Sequence, residues 1–271
     1  MQRIFSAVLA FLTMAAQWLF LGILPMPSLT ENGISADDPV YLTAHRGVNA
    51  QAPENSIPAY RLAIEKGFYA VETDVHLTKD NVWVISHNDN LKKWYGVDVR
   101  IAEHTYEELL KYKVRYGRGL LKYAPLHIPT LAEYLDLFVG TNSRPQIEIK
   151  TGSDYSGIDA LLDMVREKGL LEQCMIISFD LGQLQYIRRL DPTVELWFLC
   201  DEITDTVIEQ AKSITGNVWL SCNFEKNTIA SMQRAIDAGV PVSMWTVDTV
   251  ADAKALYEAG FRYMETDRLA P

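Results

Sequence analysis

Cysteine, clustered basic residues and low-complexity sequence are all scarce in this chain of 271 residues. Its three cysteines, Cys174, Cys200 and Cys222, lie far apart in apolar runs without CxxC spacing, so we expect small buried core residues. The sequence does not require a disulfide, although two of these cysteines could form one if the domain is exported. The formal net charge is −10 and no basic stripe is visible, which argues against nucleic acid as a partner.

Charge is also missing from most of the first 26 residues. Arg3 stands just before an uncharged run, Ile4 to Met26, and the first acid after the run is Glu31. This pattern predicts an N-terminal apolar helix in residues 1–26. It serves either as a transmembrane anchor, with the catalytic domain outside the cytoplasm, or as a signal segment whose cleavage releases a secreted domain. The last helix of a longer membrane region is a third alternative. Residues 27–39 are predicted to be a linker.

From residue 40 onward, short β-branched or aromatic runs alternate with helical patterns, which predicts an α/β domain over residues 40–271. Eight units predict a closed TIM (β/α)8 barrel. The predicted strands are Val40–Ala44, Ala70–His76, Gln146–Lys150, Met175–Phe179, Val194–Leu199, Asn217–Ser221, Val242–Val247 and Tyr263–Thr266.

Two intervals depart from this alternation. The run Val82–Ser86 follows Asp80-Asn81 and predicts the return arm of a β-hairpin after the second strand. Residues 88–128 have only one clear short helix, and we expect them to form a small insertion near the mouth of the barrel.

Polar residues are concentrated on the second predicted strand. Glu72, Asp74 and His76 alternate along it and therefore project from one face. Three potential ligands on one face of an apolar strand are costly to bury without a function. The pattern predicts a metal-dependent enzyme.

Short motifs follow one another in a fixed order through the rest of the chain: HRG, PENS, ETDVHLTKD, SHNDNL, IPTL, IEIK, WTVD and a closing TD. This order resembles the glycerophosphodiester phosphodiesterase family. The resemblance implies a TIM barrel with an insertion after the second strand, and metal-dependent hydrolysis of glycerophosphodiesters to sn-glycerol 3-phosphate and an alcohol. Because one fold can serve several substrates, a lipid phosphodiesterase like lysophospholipase D or sphingomyelinase D stays an alternative, as does a non-catalytic binding barrel.

The resemblance also implies a role for three carboxylates, since Glu72, Asp74 and Glu148 match the family's metal ligands. Three anionic groups at adjacent strand ends cannot all stay ionised unless a cation lies among them. Oxygen ligands of this kind favour Mg²⁺ or Ca²⁺.

His45 and His87 match the family's catalytic pair. Imidazoles that titrate near neutral pH can both accept and donate the protons that phosphodiester cleavage moves. In the family's mechanism the glycerol 2-hydroxyl attacks phosphorus, a cyclic phosphate forms and water opens it. The sequence leaves open which histidine acts first as the base.

The other matches concern the substrate. Arg46 and Lys150 match phosphate-binding positions, where arginine offers a planar fork and lysine a compact charge. Trp245 matches an aromatic residue of the substrate pocket.

Four further residues are expected near the site. Glu54 and Asn55 belong to the PENS motif and either support the site from its edge or form only a turn and helix cap. His76 is either a supporting residue or an ordinary buried histidine. Glu265 departs from the family, which has an apolar residue before the closing TD, and it either points inward beside Glu72 or faces outward.

Overall fold

The computed structural model describes residues 22–35, 37–150 and 155–271. The predicted N-terminal helix lies outside these residues except for positions 22–26, which are described and are not helical. Among the residues described, no helix is both long enough and apolar enough to cross a bilayer.

Eight parallel strands close into a barrel, which confirms the predicted architecture. These strands are β1 (Tyr41–Ala44), β2 (Ala70–Leu77), β4 (Arg144–Ile149), β5 (Met175–Ser178), β6 (Glu195–Cys200), β7 (Val218–Asn223), β8 (Val242–Trp245) and β9 (Tyr263–Thr266). Around the barrel they follow chain order, and β1 closes it by pairing with both β2 and β9. The remaining strand, β3 (Trp83–Ile85), pairs antiparallel with β2, so the predicted hairpin is also confirmed.

Helices surround the barrel and begin at the capping signals of the sequence. Ser56 accepts a hydrogen bond from the Ala59 amide, and Thr130 and Glu133 form a reciprocal capping box. The helices are α1 (Ile57–Glu65), α2 (Lys92–Tyr95), α3 (Tyr106–Leu109), α4 (Leu120–Tyr123), α5 (Leu131–Asp136), α6 (Ile158–Glu167), α7 (Leu181–Leu190), α8 (Asp205–Ser213), α9 (Ile229–Asp237) and α10 (Val250–Glu258).

The main hydrophobic core lies between the strands and the helices, and a second cluster fills the barrel interior. At the amino ends of the strands, Trp197 stacks on Trp219 with ring centroids 5.1 Å apart. Arg144 forms an ion pair with Glu195 at 2.9 Å in the same region. The three cysteines are buried free thiols, as the sequence predicts.

Residues 88–128 connect the hairpin to α5 and carry α2, α3 and α4. Several of their apolar residues share a small buried cluster with Val84 of β3, separate from the barrel core. The described part of the predicted linker, residues 27–35 and 37–39, lies against the barrel. Its Leu29 amide donates to the Ala270 carbonyl, and Leu29 and Ile34 are both buried.

Candidate active site

The strands bring acidic residues together near the carboxyl ends of the barrel. Asp74 of β2 lies opposite Glu148 of β4, and Glu265 of β9 lies opposite Thr43 of β1. Alternate residues of a strand face inward, so β9 presents Tyr263 to the apolar part of the interior and Glu265 to the acidic part. The carboxyl end is where TIM-barrel enzymes place their active sites.

Glu72, Asp74 and Glu148 form an acid cluster, in which each offers an oxygen within 4.8 Å of the others. Burial and the charge of Asp74 raise the pKa of Glu72 well above its usual range, and they raise that of Glu148 to about 7. Glu72 Oε1 is buried and has no hydrogen-bond partner among the described residues. A hard divalent cation fits this donor set, because it would satisfy the orphaned oxygen and remove the repulsion.

Two positively charged side chains flank the acid cluster. Lys150 Nζ lies 2.7 Å from Glu148 Oε1 and 3.2 Å from Asp74 Oδ1. Arg46 Nε lies 3.3 Å from Asp74 Oδ2. Burial alone would raise the pKa of Asp74, but the charges of Lys150 and Arg46 outweigh it and hold that pKa well below its usual range. Asp74 is therefore ionised.

A tight turn after β1 places Arg46. Its backbone is left-handed (φ 57°), and its amide donates to Glu72 Oε2 at 2.8 Å. Gly47 follows with φ 75°, and a Cβ there would lie 2.7 Å from the Ala59 carbonyl carbon, so only glycine lets the turn approach α1. Arg46 lies just beyond the strand, as predicted.

His45 follows the first strand, and its side chain contacts residues of the last strand and the loop directly after it. Its Nδ1 donates to Asp267 Oδ1 at 2.8 Å, and its Nε2 lies 3.7 Å from Glu265 Oε1. Burial opposes the charged form, but the hydrogen bond to Asp267 and the charge of Glu265 raise the pKa of His45 to about 10. This imidazole is protonated at neutral pH in the metal-free protein.

His87 follows β3 and is in the opposite state. Its Nδ1 is buried without a hydrogen-bond partner among the described residues. Burial lowers its pKa to about 4; the charge of Asp74 opposes this shift, while those of Arg46 and Lys150 reinforce it. The two predicted catalytic histidines therefore differ in charge, and their environments suit them to opposite roles in proton transfer.

The two PENS residues expected near the site contact different groups. Asn55 Nδ2 donates to Asp74 Oδ2 at 2.8 Å, and Asn55 Oδ1 accepts from the Tyr60 hydroxyl at 2.9 Å. Glu54 Oε1 accepts from Arg46 at 3.2 Å and from Trp94 Nε1 at 2.8 Å, so it orients the arginine from outside the acid cluster.

His76 and Trp245 lie further from the cluster's centre. His76 Nε2 is 3.4 Å from the carbonyl oxygen of His87, and the ring lines a cavity of about 560 Å³ that Lys150 also lines. Trp245 donates to the Ser221 carbonyl and packs edge-on against Phe179, with centroids 6.1 Å apart.

Asp267, Glu265 and Asn49 also belong to the site, although sequence reasoning assigned no role to Asp267 or Asn49 and left the direction of Glu265 open. Glu265 points inward, where it forms a second acid group with His45 and Glu72. The Asn49 side chain donates to Asp267 and to the His45 carbonyl. The closing TD motif was a signal for Asp267, since it follows a predicted strand directly.

The sequence profile of the Glycerophosphoryl diester phosphodiesterase family matches residues 45–270. The glycerophosphodiester phosphodiesterase of Caldanaerobacter subterraneus subsp. tengcongensis is 29% identical over 229 residues, which are 83% of this chain and 92% of that protein. Human lysophospholipase D GDPD1 is 32% identical over 116 residues, 41% of this chain and 36% of that protein.

An Oleispira antarctica phosphodiesterase, solved with its product sn-glycerol-3-phosphate, has a similar fold: the TM-score is 0.77 at 24% identity over 83% of this chain and 92% of that one. The matched residues begin at His45, directly after β1, and extend past β9 to Ala270. The chain therefore belongs to the glycerophosphoryl diester phosphodiesterase family and is a glycerophosphodiester phosphodiesterase.

Proposed function

We propose that the protein hydrolyses glycerophosphodiesters to sn-glycerol 3-phosphate and an alcohol in a reaction that depends on a divalent metal. The observation that carries this proposal is the buried acid cluster with the orphaned Glu72 oxygen. Two basic side chains flank it, and two histidines, one protonated and one neutral, approach it. Glu72, Asp74 and Glu148 would hold Mg²⁺ or Ca²⁺. When bound, the cation would offset the negative charge that develops on the phosphoryl oxygens.

Arg46 and Lys150 bind the phosphate in this proposal. Two Arg46 nitrogens are already oriented, Nη1 by Glu54 and Nε by Asp74, which leaves Nη2 for a phosphate oxygen. Lys150 Nζ approaches the acid cluster from the next strand. A guanidinium and an ammonium on different strands fix the orientation of the phosphate as well as offsetting its charge.

His87 and His45 carry the protons. The free base His87 takes the proton of the glycerol 2-hydroxyl, whose oxygen bonds to phosphorus. The bond from phosphorus to the head-group oxygen breaks, and His45 protonates that oxygen, which leaves as the alcohol. Water then opens the cyclic phosphate with the histidines in exchanged roles, and the product is sn-glycerol 3-phosphate.

A substrate panel tests the proposal on the purified full chain. We expect release of sn-glycerol 3-phosphate from one or more glycerophosphodiesters, loss of activity with EDTA, and recovery with Mg²⁺ or Ca²⁺. His45→Ala and His87→Ala should each abolish turnover. Activity that survives chelation, or that survives both substitutions, would show that these assignments are wrong.

A second candidate is a lysophospholipase D-like activity. Two observations favour it: the partial similarity to human lysophospholipase D, and the exposed apolar side chains Tyr116 and Leu121 of the 88–128 segment, which are 55% and 79% exposed. An N-terminal membrane anchor, with the barrel outside the cytoplasm, would suit such a substrate. Choline release from lysophosphatidylcholine but not from glycerophosphocholine would favour this candidate over the first.

A non-catalytic barrel, the remaining alternative, does not agree with family membership. The two histidines, the three acids, Arg46 and Lys150 are all present, and the structure brings their strand ends together.

A further inference from the structure

A cavity of about 220 Å³ opens beside the catalytic residues, on the side of β1 and β9. Its lining includes Arg118, from the 88–128 segment, and Arg268, directly after Asp267. The other lining residues are Arg46, Asn49, Glu54, Trp94, Gly117 and Asp267. The proposed mechanism gives no task to Arg118 or Arg268.

The acids of this cavity already have partners. Glu54 accepts hydrogen bonds from Arg46 and Trp94, and Asp267 Oδ1 accepts from His45 and Asn49. Arg118 and Arg268 are different, because neither guanidinium forms an ion pair or a hydrogen bond in the part of the chain that the structure describes. Both are partly buried. The cavity therefore presents two positive charges that are not neutralised by direct contact.

The two guanidiniums also act on each other. Burial and the positive charge of Arg268 lower the pKa of Arg118, and the charge of Asp267 compensates only in part. Two like charges near one another in a half-buried cavity repel, and an anion that binds between them removes that repulsion.

The backbone around Arg118 is closely fitted to the loop that follows β1. Gly117 has φ 132°, and a Cβ there would lie 2.8 Å from Pro53 Cβ. Gly119 has φ 64°, and a Cβ there would overlap the Gln51 carbonyl oxygen. These two glycines let the chain press against residues 51–53 on both sides of Arg118, so the arginine extends from a fixed position.

We propose that this cavity binds the head group of the substrate and that Arg118 and Arg268 select glycerophosphodiesters whose head group carries an anionic group of its own. A carboxylate or a second phosphate would serve, since guanidinium binds both in the same bidentate manner. The inference rests on the proposed function, because it assigns one end of that substrate.

The same cavity disfavours a quaternary ammonium head group. Lys93 Nζ already lies over the Trp94 ring, 4.5 Å from its centroid, so that ring face is not free for another cation. Glu54, which accepts a hydrogen bond from that indole, also lies 3.6 Å from Lys93 Nζ. Choline would meet two unneutralised arginines and an occupied aromatic face.

Two matched pairs of substrates test the proposal on the full chain with metal present. Glycerophosphoserine and glycerophosphoethanolamine differ by one carboxylate. Bis(glycerophospho)glycerol has one more anionic glycerophosphoryl group than glycerophosphoglycerol, and its kcat/KM is halved because it has two equivalent scissile ends. We expect kcat/KM to favour the more anionic member of each pair by about three- to tenfold. This is the preference expected from two half-exposed contacts between opposite charges. A preference in only one pair would identify the anion as carboxylate or phosphate.

Variants separate this selection from general damage. In Arg118→Gln/Arg268→Gln the ratio of kcat/KM within each pair should fall towards one, whereas Arg118→Lys should retain part of it. Arg115→Gln, an exposed arginine of the same segment outside the cavity lining, is the control and should keep the wild-type ratio. Both members of a pair are measured on one preparation, so partial unfolding does not alter the ratio.

The outcomes distinguish the two levels of inference. If the pairs are hydrolysed without preference, or if the double variant keeps the preference, the head-group assignment is overturned and the proposed function stands. If no glycerophosphodiester is hydrolysed, the proposed function fails and the head-group assignment fails with it.

Discussion

His45 Nδ1 lies 2.8 Å from Asp267 Oδ1, although 222 positions separate the two residues in the chain. Closure of the barrel through the β1–β9 pairing creates this contact. The carboxylate holds the imidazole in one orientation, with Nε2 towards the site, and stabilises its protonated form. In the proposed mechanism this is the relation of an acid–base histidine to the carboxylate that orients it.

Asp267→Asn should therefore lower kcat by about 10²- to 10⁴-fold while leaving metal affinity near the wild-type value. The carboxylate raises the pKa of His45, so its removal lowers that pKa. The basic limb of the pH–rate profile should then move to lower pH. Steady-state kinetics across pH and a metal titration measure both effects.

Asp237→Asn, which changes an exposed acid of α9, is the matched control and should leave kcat and the profile unchanged. An unaltered kcat in Asp267→Asn would mean that His45 needs no carboxylate partner.

Metal binding should stabilise the protein more strongly as the pH rises from about 5.5 to 8. The pKa of Glu148 is raised to about 7 in the folded metal-free protein. Above the unfolded pKa the folded form keeps a proton that the unfolded form has lost, so metal-free stability falls as pH rises through 7. A cation takes the place of that proton, and the gain grows as the proton leaves.

Thermal melting with EDTA or with excess Mg²⁺ or Ca²⁺, at several pH values, measures this gain. Glu148→Gln should remove most of it, and Glu167→Gln, at an exposed acid of α6, should not. A metal-induced shift that is the same at every pH would contradict the assignment of Glu148 as a ligand.

The Asn55 side chain should support metal binding through Asp74. Its amide donates to Asp74 Oδ2 at 2.8 Å, and the Tyr60 hydroxyl holds the amide in place. Groups that orient ligands in this way change metal affinity by about 10- to 100-fold when removed. We expect a loss of this size in Asn55→Gly, measured by isothermal titration.

Glycine is the informative substitution because Asn55 has a left-handed backbone, with φ 54°. Asn55→Gly keeps that conformation and removes only the amide, whereas Asn55→Ala adds backbone strain. If Asn55→Gly binds metal like the wild type and only Asn55→Ala is impaired, the residue has a turn-forming role alone.

The sequence allowed the barrel to be predicted because its signals are local and repeated. Buried parallel strands are continuous apolar runs, and capping residues such as Ser56 and Thr130 mark where helices begin. The acid cluster could be predicted from the sequence for a related reason. Glu72 and Asp74 share one strand face, and family motifs identified Glu148 on the neighbouring strand.

Other parts of the site depend on contacts that no local pattern encodes. The inward position of Glu265 and the pairing of His45 with Asp267 follow from barrel closure between the chain's two ends. Arg118 lies in a segment without periodicity, and its place follows from two glycines that fit against residues 51–53. The role of Glu54 as a partner of Arg46 and Trp94 likewise needed the position of the 88–128 segment.

The amino end of the barrel should contribute to stability and not to turnover. Arg144 Nη2 lies 2.9 Å from Glu195 Oε2, and both side chains are largely buried. Glu195 also accepts from Trp197 Nε1 at 2.7 Å. Glu195→Gln leaves the arginine without its counter-charge, so we expect a loss of about 2–4 kcal/mol in the free energy of unfolding.

Because Glu195 lies at the opposite end of the barrel from the acid cluster, kcat of the folded Glu195→Gln variant should equal that of the wild type. Glu209→Gln, which breaks an exposed helical pair with Lys212, is the control and should cost less than about 0.5 kcal/mol. Denaturant titration and kinetics on the same preparations make the comparison. A fall in kcat without a loss of stability would show that the amino end of the barrel acts on the chemistry.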